Sequence, residues 1–578
     1  VATAESFDAG EPVTGLSVTH GTTPDAFTGT YVGFIADALG KNKDLLLFRL
    51  SSPVIDGTAS SGGLKGAGIW AGMSGSPVYD KAGRLIGAVA YSLNSENLPI
   101  AGVTPAEYMK SIGTTGFSST ANVRATNSNL KLSASGIRAA GANLVDSSFS
   151  QVRTVNVAGT AGTKANAFTN RTLARTPGSS ATASFLRSKD FLPAGSANPA
   201  SVSQALVAGG TIAATYTDGD YLIGAIGTVT AICGDTVWAF GHPMAHSGNA
   251  TLLMSNASTA LIVPDGAGLN GSYKQVSEFG SPLGMITQDR EVGIRGTIGA
   301  VSTFPIDVAV QSATGTQIAT YHAGVADPQA AAATVVGTIG TAAYEQLDQN
   351  GAGTAALTWT IDYRRANGAT GSLTNSQVTA DSSAFPDVVG TRPASDVWAI
   401  TSNKFEDVTI TSVKITVRLQ SADAITYKAA AVQVLTKGSW KSLSGKRLKA
   451  GSSYSVRPQY RIVKNDRLGG LTVGKPLTIK LKASARKSGW VMFAAAAVTD
   501  PCTGNANSVT CTDLSANVSD TASSFDEVLD GLTASPPNNL VVGAASYRLK
   551  KGSTTRDFTW TAPGSVTGSA KASFSIRS

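Results

Sequence analysis

Apolar and polar residues alternate with a period of two over much of this chain, and its apolar runs are short. Phe27 to Ile35 alternates apolar with small or polar residues, while Leu45 to Leu50 and Leu85 to Ala90 are brief apolar runs bounded by turn residues. Period two sends successive side chains to opposite faces of a sheet, and a short bounded run suits a strand buried on both faces. Tyr221 to Ile232 and Thr236 to Phe240 read as a hairpin through Cys233-Gly234-Asp235, leading into Gly241-His242-Pro243. Strands recur at Ala356 to Tyr363 and Val408 to Leu419. Beyond them turn signals come about every ten residues, the texture of β-sandwich modules. Helices are exceptions. Pro105 opens a short one over 105 to 112, and Asp327-Pro328 caps an Ala-rich one running to about Asp348.

Length and composition narrow this picture. At roughly 150 residues per domain, 578 residues make about four modules. With 42% hydrophobic against 15% charged residues the chain folds, and no apolar run reaches the roughly 18 residues of a membrane span. The net charge of +8 is unevenly spread. Residues 120 to 200 carry nine Lys or Arg against two Asp, and residues 431 to 490 carry fourteen against Asp466 alone. The first stretch reads as a solvated, loosely packed insertion. The second reads as a soluble sandwich surface or a site for anionic cell-envelope polymer; no aromatic-interleaved motif points to nucleic acid. Three cysteines are too few for a usual zinc cage. Cys502 and Cys511 flank a polar loop that a disulfide would close, and Cys233 is expected to be a buried small hydrophobe. The start at Val1-Ala2-Thr3-Ala4 reads as a mature end left by signal-peptide removal, hence a secreted or cell-surface protein.

The strongest chemical signal is Gly72-Met73-Ser74-Gly75-Ser76-Pro77 ahead of the strand Gly83 to Val89. The glycines permit a tight turn with inward N–H groups. Those of Gly72 and Ser74 would form an oxyanion hole while the Ser74 hydroxyl attacks a carbonyl carbon. A serine nucleophile needs a base, and only four histidines exist. His242 ends a hydrophobic strand between Gly and Pro, where cleft residues sit. His20 also ends a strand and is the alternative; His246 is a neighbour on the His242 loop, and His322 reads as structural. The acid is open among Asp56, Asp44 and Asp235. Gln288-Asp289-Arg290 reads as a structural ion pair near the cleft.

Gly72 to Val89 resembles the SpoIVB-type serine peptidase family, whose members carry a GMSGSP motif before a strand ending Ile-Gly-Ala-Val. Ile226-Gly227-Thr228-Val229-Thr230, Phe240-Gly241-His242-Pro243, Gly284 to Arg290 and Gly293-Ile294-Arg295-Gly296 are similar to the family's stretches around its histidine. The resemblance implies Ser74 as nucleophile and His242 as general base. The family's acid precedes its serine by slightly less than the spacing from Asp56 to Ser74, so Asp56 fits with a short insertion. Here the serine block comes first, which implies a circular permutation of a chymotrypsin-like double β-barrel, and no PDZ module is recognisable. The resulting expectation is a mainly β chain. Residues 1–118 form the nucleophile half of a protease domain, 119–200 a basic Ser/Thr/Ala-rich insertion and 201–325 the histidine half. A helix plus β module follows over 326–430, and a basic β-sandwich region over 431–578. The expected function is an exported serine endopeptidase acting on protein or peptide by limited, regulatory or self-cleaving proteolysis, with neither metal nor cofactor. The alternative is a catalytically silent envelope-binding protein that uses the protease fold as a scaffold.

Overall fold

A computed structural model covers the 578-residue chain. It describes all residues except 2–6, 58–65, 94–98, 114–121, 143, 160–165, 188–190, 195, 198–201, 203, 266–270, 497–501, 506–507, 512–521, 535 and 578. The fold is mainly β and divides into two compact units. One comprises residues 1–305 with 322–330, the other 306–321 with 331–578.

The first unit begins with a closed barrel. Its strands are β1 (Pro12–Ser17), β2 (Asp25–Ile35), β3 (Leu45–Ser51), β4 (Pro77–Tyr79), β5 (Leu85–Leu93) and β6 (Ile100–Pro105). They pair in the order β4-β1-β2-β3-β6-β5, and β4 pairs back onto β5, so the ring has no free edge. The apolar runs explain the closure. Every residue of β6 is buried, as are Leu45, Leu46, Leu47 and Phe48 of β3. Phe48, Leu50, Val103, Trp70 and Met73 share one core. The short helix expected after Pro105 is present as Ala106–Lys110.

The stretch expected as an insertion is woven into the unit. Strands β7 (Asn122–Arg124) and β9 (Ser148–Gln151) extend the barrel sheet beyond β5, and β8 (Leu130–Leu132) pairs with β2. Strands β10 (Val155–Gly159), β11 (Phe191–Pro193) and β12 (Ser196–Ala197) join a second sheet. Phe149 is buried in the first sheet, and Val155, Val157 and Phe191 in the second. Isolated apolar anchors among Ser, Thr and Ala are enough to seat a strand, and a composition averaged over the stretch hides them.

The second sheet curls as a half-barrel. It adds β13 (Thr211–Thr215), β15 (Leu222–Cys233), β16 (Thr236–Ala239), β17 (Gly248–Val263), β18 (Tyr273–Arg290) and β19 (Gly293–Ile298); β14 (Thr217–Gly219) lies beside Ala323–Val325. The order is β11-β10-β15-β13-β17-β18-β19-β16, with β16 also paired to β15. The β15–β16 hairpin is the one the sequence announces. Cys233 departs from expectation: it is exposed with a free thiol, because β15 runs past the barrel wall into a solvated turn.

In the second unit the helix Ala331–Leu347 follows Asp327-Pro328 as expected. Strands Phe304–Gln311, Thr409–Ser421, Gly353–Arg364 and Thr370–Asp381 lie side by side. Further on, two sheets share a core containing Val432, Val456, Phe493, Val541 and Phe574, which makes a sandwich-like pair. Cys502 stands opposite Cys511 in a two-stranded ladder; the disulfide expected between them concerns side chains outside the described residues.

Candidate active site

The loop Trp70–Ser76 feeds directly into β4. Gly72 and Gly75 sit at φ +88° and +95°, a region that disfavours any side chain. Gly75 has a second constraint. A Cβ there would lie 1.9 Å from the Thr228 carbonyl oxygen and 2.5 Å from the Phe240 nitrogen. Backbone donors hold the turn. Met73 N–H donates to Trp70 O at 3.1 Å, Ser76 N–H to Met73 O at 3.0 Å, Gly75 N–H to Val89 O at 2.8 Å and Gly72 N–H to Arg153 O at 3.0 Å. Ser74 is fully buried, and its Oγ has no hydrogen-bond partner among the described residues.

His242 follows β16 through two residues at positive φ. Phe240 at +70° is the costly one, since a non-glycine residue in that region is strained. Gly241 is pinned by Thr104, whose Oγ1 donates to its carbonyl at 2.7 Å. The imidazole is 3% exposed. Its Nδ1 lies 2.7 Å from the Pro243 carbonyl oxygen. A carbonyl only accepts, so Nδ1 carries the proton and Nε2 keeps the lone pair of the neutral ring. Burial pushes the His242 pKa below the ordinary imidazole range, against the opposing pull of the Pro243 and Val152 carbonyls and of the Asp289 charge. Nε2, like Ser74 Oγ, is buried without a partner among the described residues.

One residue ties these two segments together. Thr228 on β15 donates its N–H to Ser74 O at 2.8 Å and its hydroxyl to Gly72 O at 3.0 Å. Its carbonyl accepts the Phe240 N–H at 3.3 Å. Two residues on, Thr230 donates its hydroxyl to Gly75 O at 2.8 Å. The serine loop from the first sheet and the histidine arm from the second are thus bonded to the same stretch of β15. Sequence reasoning missed Thr228 and Thr230. The signal available was two threonines facing one side of a strand that is otherwise apolar.

Other expected residues lie elsewhere. Asp56 is exposed at the end of the helix Pro53–Asp56 and accepts the Ser51 hydroxyl at 2.6 Å. Asp44 accepts the Asp37 N–H at 3.0 Å, and Asp235 is exposed in the hairpin turn. His20 and His322 are exposed. His246 is 61% exposed and faces Glu291 at 3.7 Å. The Asp289–Arg290 ion pair gives way to a different arrangement. Arg290 donates to Gln288 and Asn249. The buried Asp289 carboxylate accepts the N–H groups of Met244 and Ala245 at 2.8 Å each and of Ser247 at 3.2 Å. It therefore sets the loop that leaves His242. Among the described residues no hydrogen bond joins Ser74 Oγ to His242 Nε2, and no Ser–His–Asp chain of bonds is formed.

A buried lysine underlies the serine loop. Lys274 on β18 donates its backbone N–H to Ala71 O at 2.9 Å, and its side chain runs beneath Gly72. A Cβ on Gly72 would meet the Lys274 Cβ at 3.0 Å. Its Nζ donates to Thr211 Oγ1 at 3.2 Å, and burial pushes its pKa down to about 7, with Asp25 opposing. Among the described residues no group of three or more His, Cys, Asp or Glu could hold a metal ion, and no helix is long and apolar enough to cross a membrane. No family model matches the chain, and neither a curated protein nor a solved structure matches it. The closed barrel and its neighbouring sheet are compatible with a protease-like scaffold.

Proposed function

We propose that this chain is an exported serine endopeptidase of limited, regulatory or self-cleaving action, built on two barrels. The return pairing of β16 onto β15 supports reading the second sheet as the other barrel. The observation that carries the proposal is the pair of buried, unpartnered atoms, Ser74 Oγ and His242 Nε2, on two segments bonded to one strand. Buried polar groups are almost always paired, and an orphan in a native fold calls for an explanation such as a catalytic role.

In this reading Ser74 Oγ attacks the scissile carbonyl carbon as His242 Nε2 takes its proton; the imidazolium then protonates the leaving amine. A neutral, Nδ1-protonated ring is the form this needs. The Pro243 carbonyl occupies the place that a triad gives to a carboxylate. Asp289 supplies negative charge through the loop it holds, in preference to Asp56. The N–H groups of Gly72 and Ser74 stabilise the oxyanion. The Gly72 N–H donates to the Arg153 carbonyl in this structure, so an oxyanion there replaces that bond. The substrate is a protein or peptide.

Labelling with a fluorophosphonate probe tests this reading. Ser74 should be modified in wild type and unmodified in His242→Ala. A folded protein in which the probe reaches Ser74 equally well without His242 would refute the assigned base.

A second reading rests on the basic sandwich. There the Arg457 guanidinium lies 4.1 Å from the Trp440 ring centre and Lys571 Nζ lies 4.9 Å from that of Trp490. Cations held over aromatic faces suit an anionic polymer. Binding to anionic envelope polymer should then weaken steeply with added salt, and salt-independent binding would count against it.

A further inference from the structure

The segment between β9 and β10 crosses the site. Val152 donates its N–H to Ala90 O at 2.8 Å, and its side chain, 2% exposed, packs in the same core as Trp70, Met73 and Val89. Its carbonyl is one of the groups that oppose the lowering of the His242 pKa by burial. The next carbonyl, that of Arg153, accepts the Gly72 N–H. Successive carbonyls of one stretch of chain therefore influence the proposed base and bond the proposed oxyanion donor. Its ends are tied down. Gln151 Nε2 lies 3.4 Å from Tyr91 Oη and 3.5 Å from Glu291 Oε1, and Val155 begins the β10 ladder opposite Ile226. The Arg153 side chain is exposed, so the stretch meets the serine loop through its backbone, with Val152 as its buried anchor.

We propose that the Ser74–His242 cleft is shaped to take an extended peptide main chain, and that Gln151–Thr154 is its resident occupant, holding the site closed in cis. This rests on the peptidase reading above and adds its substrate geometry and its regulation. The burial of both reacting side chains follows: the occupant excludes any other peptide until it is withdrawn. An incoming peptide would place a carbonyl on the Gly72 N–H in place of that of Arg153.

Weakening the occupant's anchor should open the site. Val152→Gly removes the buried side chain and leaves Ser74, His242 and Gly72 untouched. Fluorophosphonate labelling of Ser74 should speed up at least tenfold in this variant and still require His242, and the Gly72 amide should lose hydrogen-exchange protection. Val152→Ile should keep the slow wild-type rate. Leu50→Ala, a cut of comparable size elsewhere in the same core, should not accelerate labelling, which separates release of the occupant from general loosening. If circular dichroism shows Val152→Gly unfolded, Val152→Ala is read in the same way. Equal labelling rates at Ser74 in wild type and the folded variant would overturn the occupant and leave the peptidase reading standing. Absence of Ser74 labelling in both would overturn the two together.

Discussion

The neighbourhood of Ser74 and the basic sandwich both stand out in the sequence, for opposite reasons, and they are built in opposite ways. Around Ser74 the polar groups are few and buried, and several lack partners: Trp70 Nε1, Ser74 Oγ, Ser76 Oγ and His242 Nε2. Gly72, Gly75 and Gly241 are at positive φ, as is Phe240. In the sandwich the charges are many and sit at strand surfaces, with Arg447, Lys449, Arg467 and Lys480 all exposed, while Tyr460 Oη and Trp560 Nε1 are buried in its core without partners among the described residues and Lys437, Asn465, Asp466 and Lys487 take positive φ. A solvated charge costs the fold little, whereas a buried orphan and a strained backbone cost free energy that the surrounding structure must offset. The contrast therefore lies in which groups are left without partners: near Ser74 they include a hydroxyl and an imidazole nitrogen, which can act as nucleophile and base, whereas in the sandwich they are a phenol and an indole.

The largest expected effect separates the two regions by chemistry. His242→Ala should slow probe labelling of Ser74 by about 10³-fold or more, while charge reversals such as Lys571→Glu leave it unchanged. In wild type the acid limb of labelling should fall below the ordinary imidazole midpoint of 6.5, because burial lowers the His242 pKa; a limb above 6.5 would contradict a desolvated base. The same depression makes protonation destabilising, so the contribution of this histidine to stability is held above pH 6.5 and lost as pH falls.

Next comes packing. Gly75→Ala forces a Cβ into two backbone atoms at a positive φ and should destabilise the first unit by about 3 kcal/mol or more, read by denaturant melts. Gly470→Ala, with nothing within 4 Å of its Cβ, is the counterpart in the sandwich and closes the series as the smallest effect. A shift within about 0.5 kcal/mol is expected there. Comparable losses for the two would erase the distinction between the regions.

Between these lies the buried lysine. Lys274→Met should stabilise the fold by about 1–4 kcal/mol at pH 7, as a buried charge is exchanged for an apolar side chain of similar length. The sign follows from proton uptake. The unfolded lysine holds its proton up to about 10.5 and the folded one only to about 7. Between those values the unfolded chain binds more protons, so wild-type stability rises with pH and is lost as pH falls toward 7. The variant should lack that slope in melts run from pH 7 to 10.

How much of this was legible can be argued from particular residues. The β15–β16 hairpin and the helix after Asp327-Pro328 follow from periodicity and caps, which are local signals. Gly72 and Gly75 were legible as turn formers, and Ser74 and His242 as chemically notable. The burial of Cys233 was misjudged, since its strand continues past the sheet's interior, and strand pattern alone does not say where the wall ends. Asp56 was favoured by spacing along the chain, yet the carboxylate nearest in influence to His242 is Asp289.

By itself the sequence determined the strand-rich class, the glycine-bounded serine turn and a histidine inventory of four, because each depends on neighbours within a few residues. Only the tertiary structure decided that Thr228 joins the Ser74 turn to the His242 arm, that Asp289 holds the loop after His242, and that the Arg153 carbonyl meets the Gly72 N–H. Those contacts link residues far apart in the chain through strand pairing, and pairing is set by how two sheets bury their apolar faces. No local pattern encodes that choice.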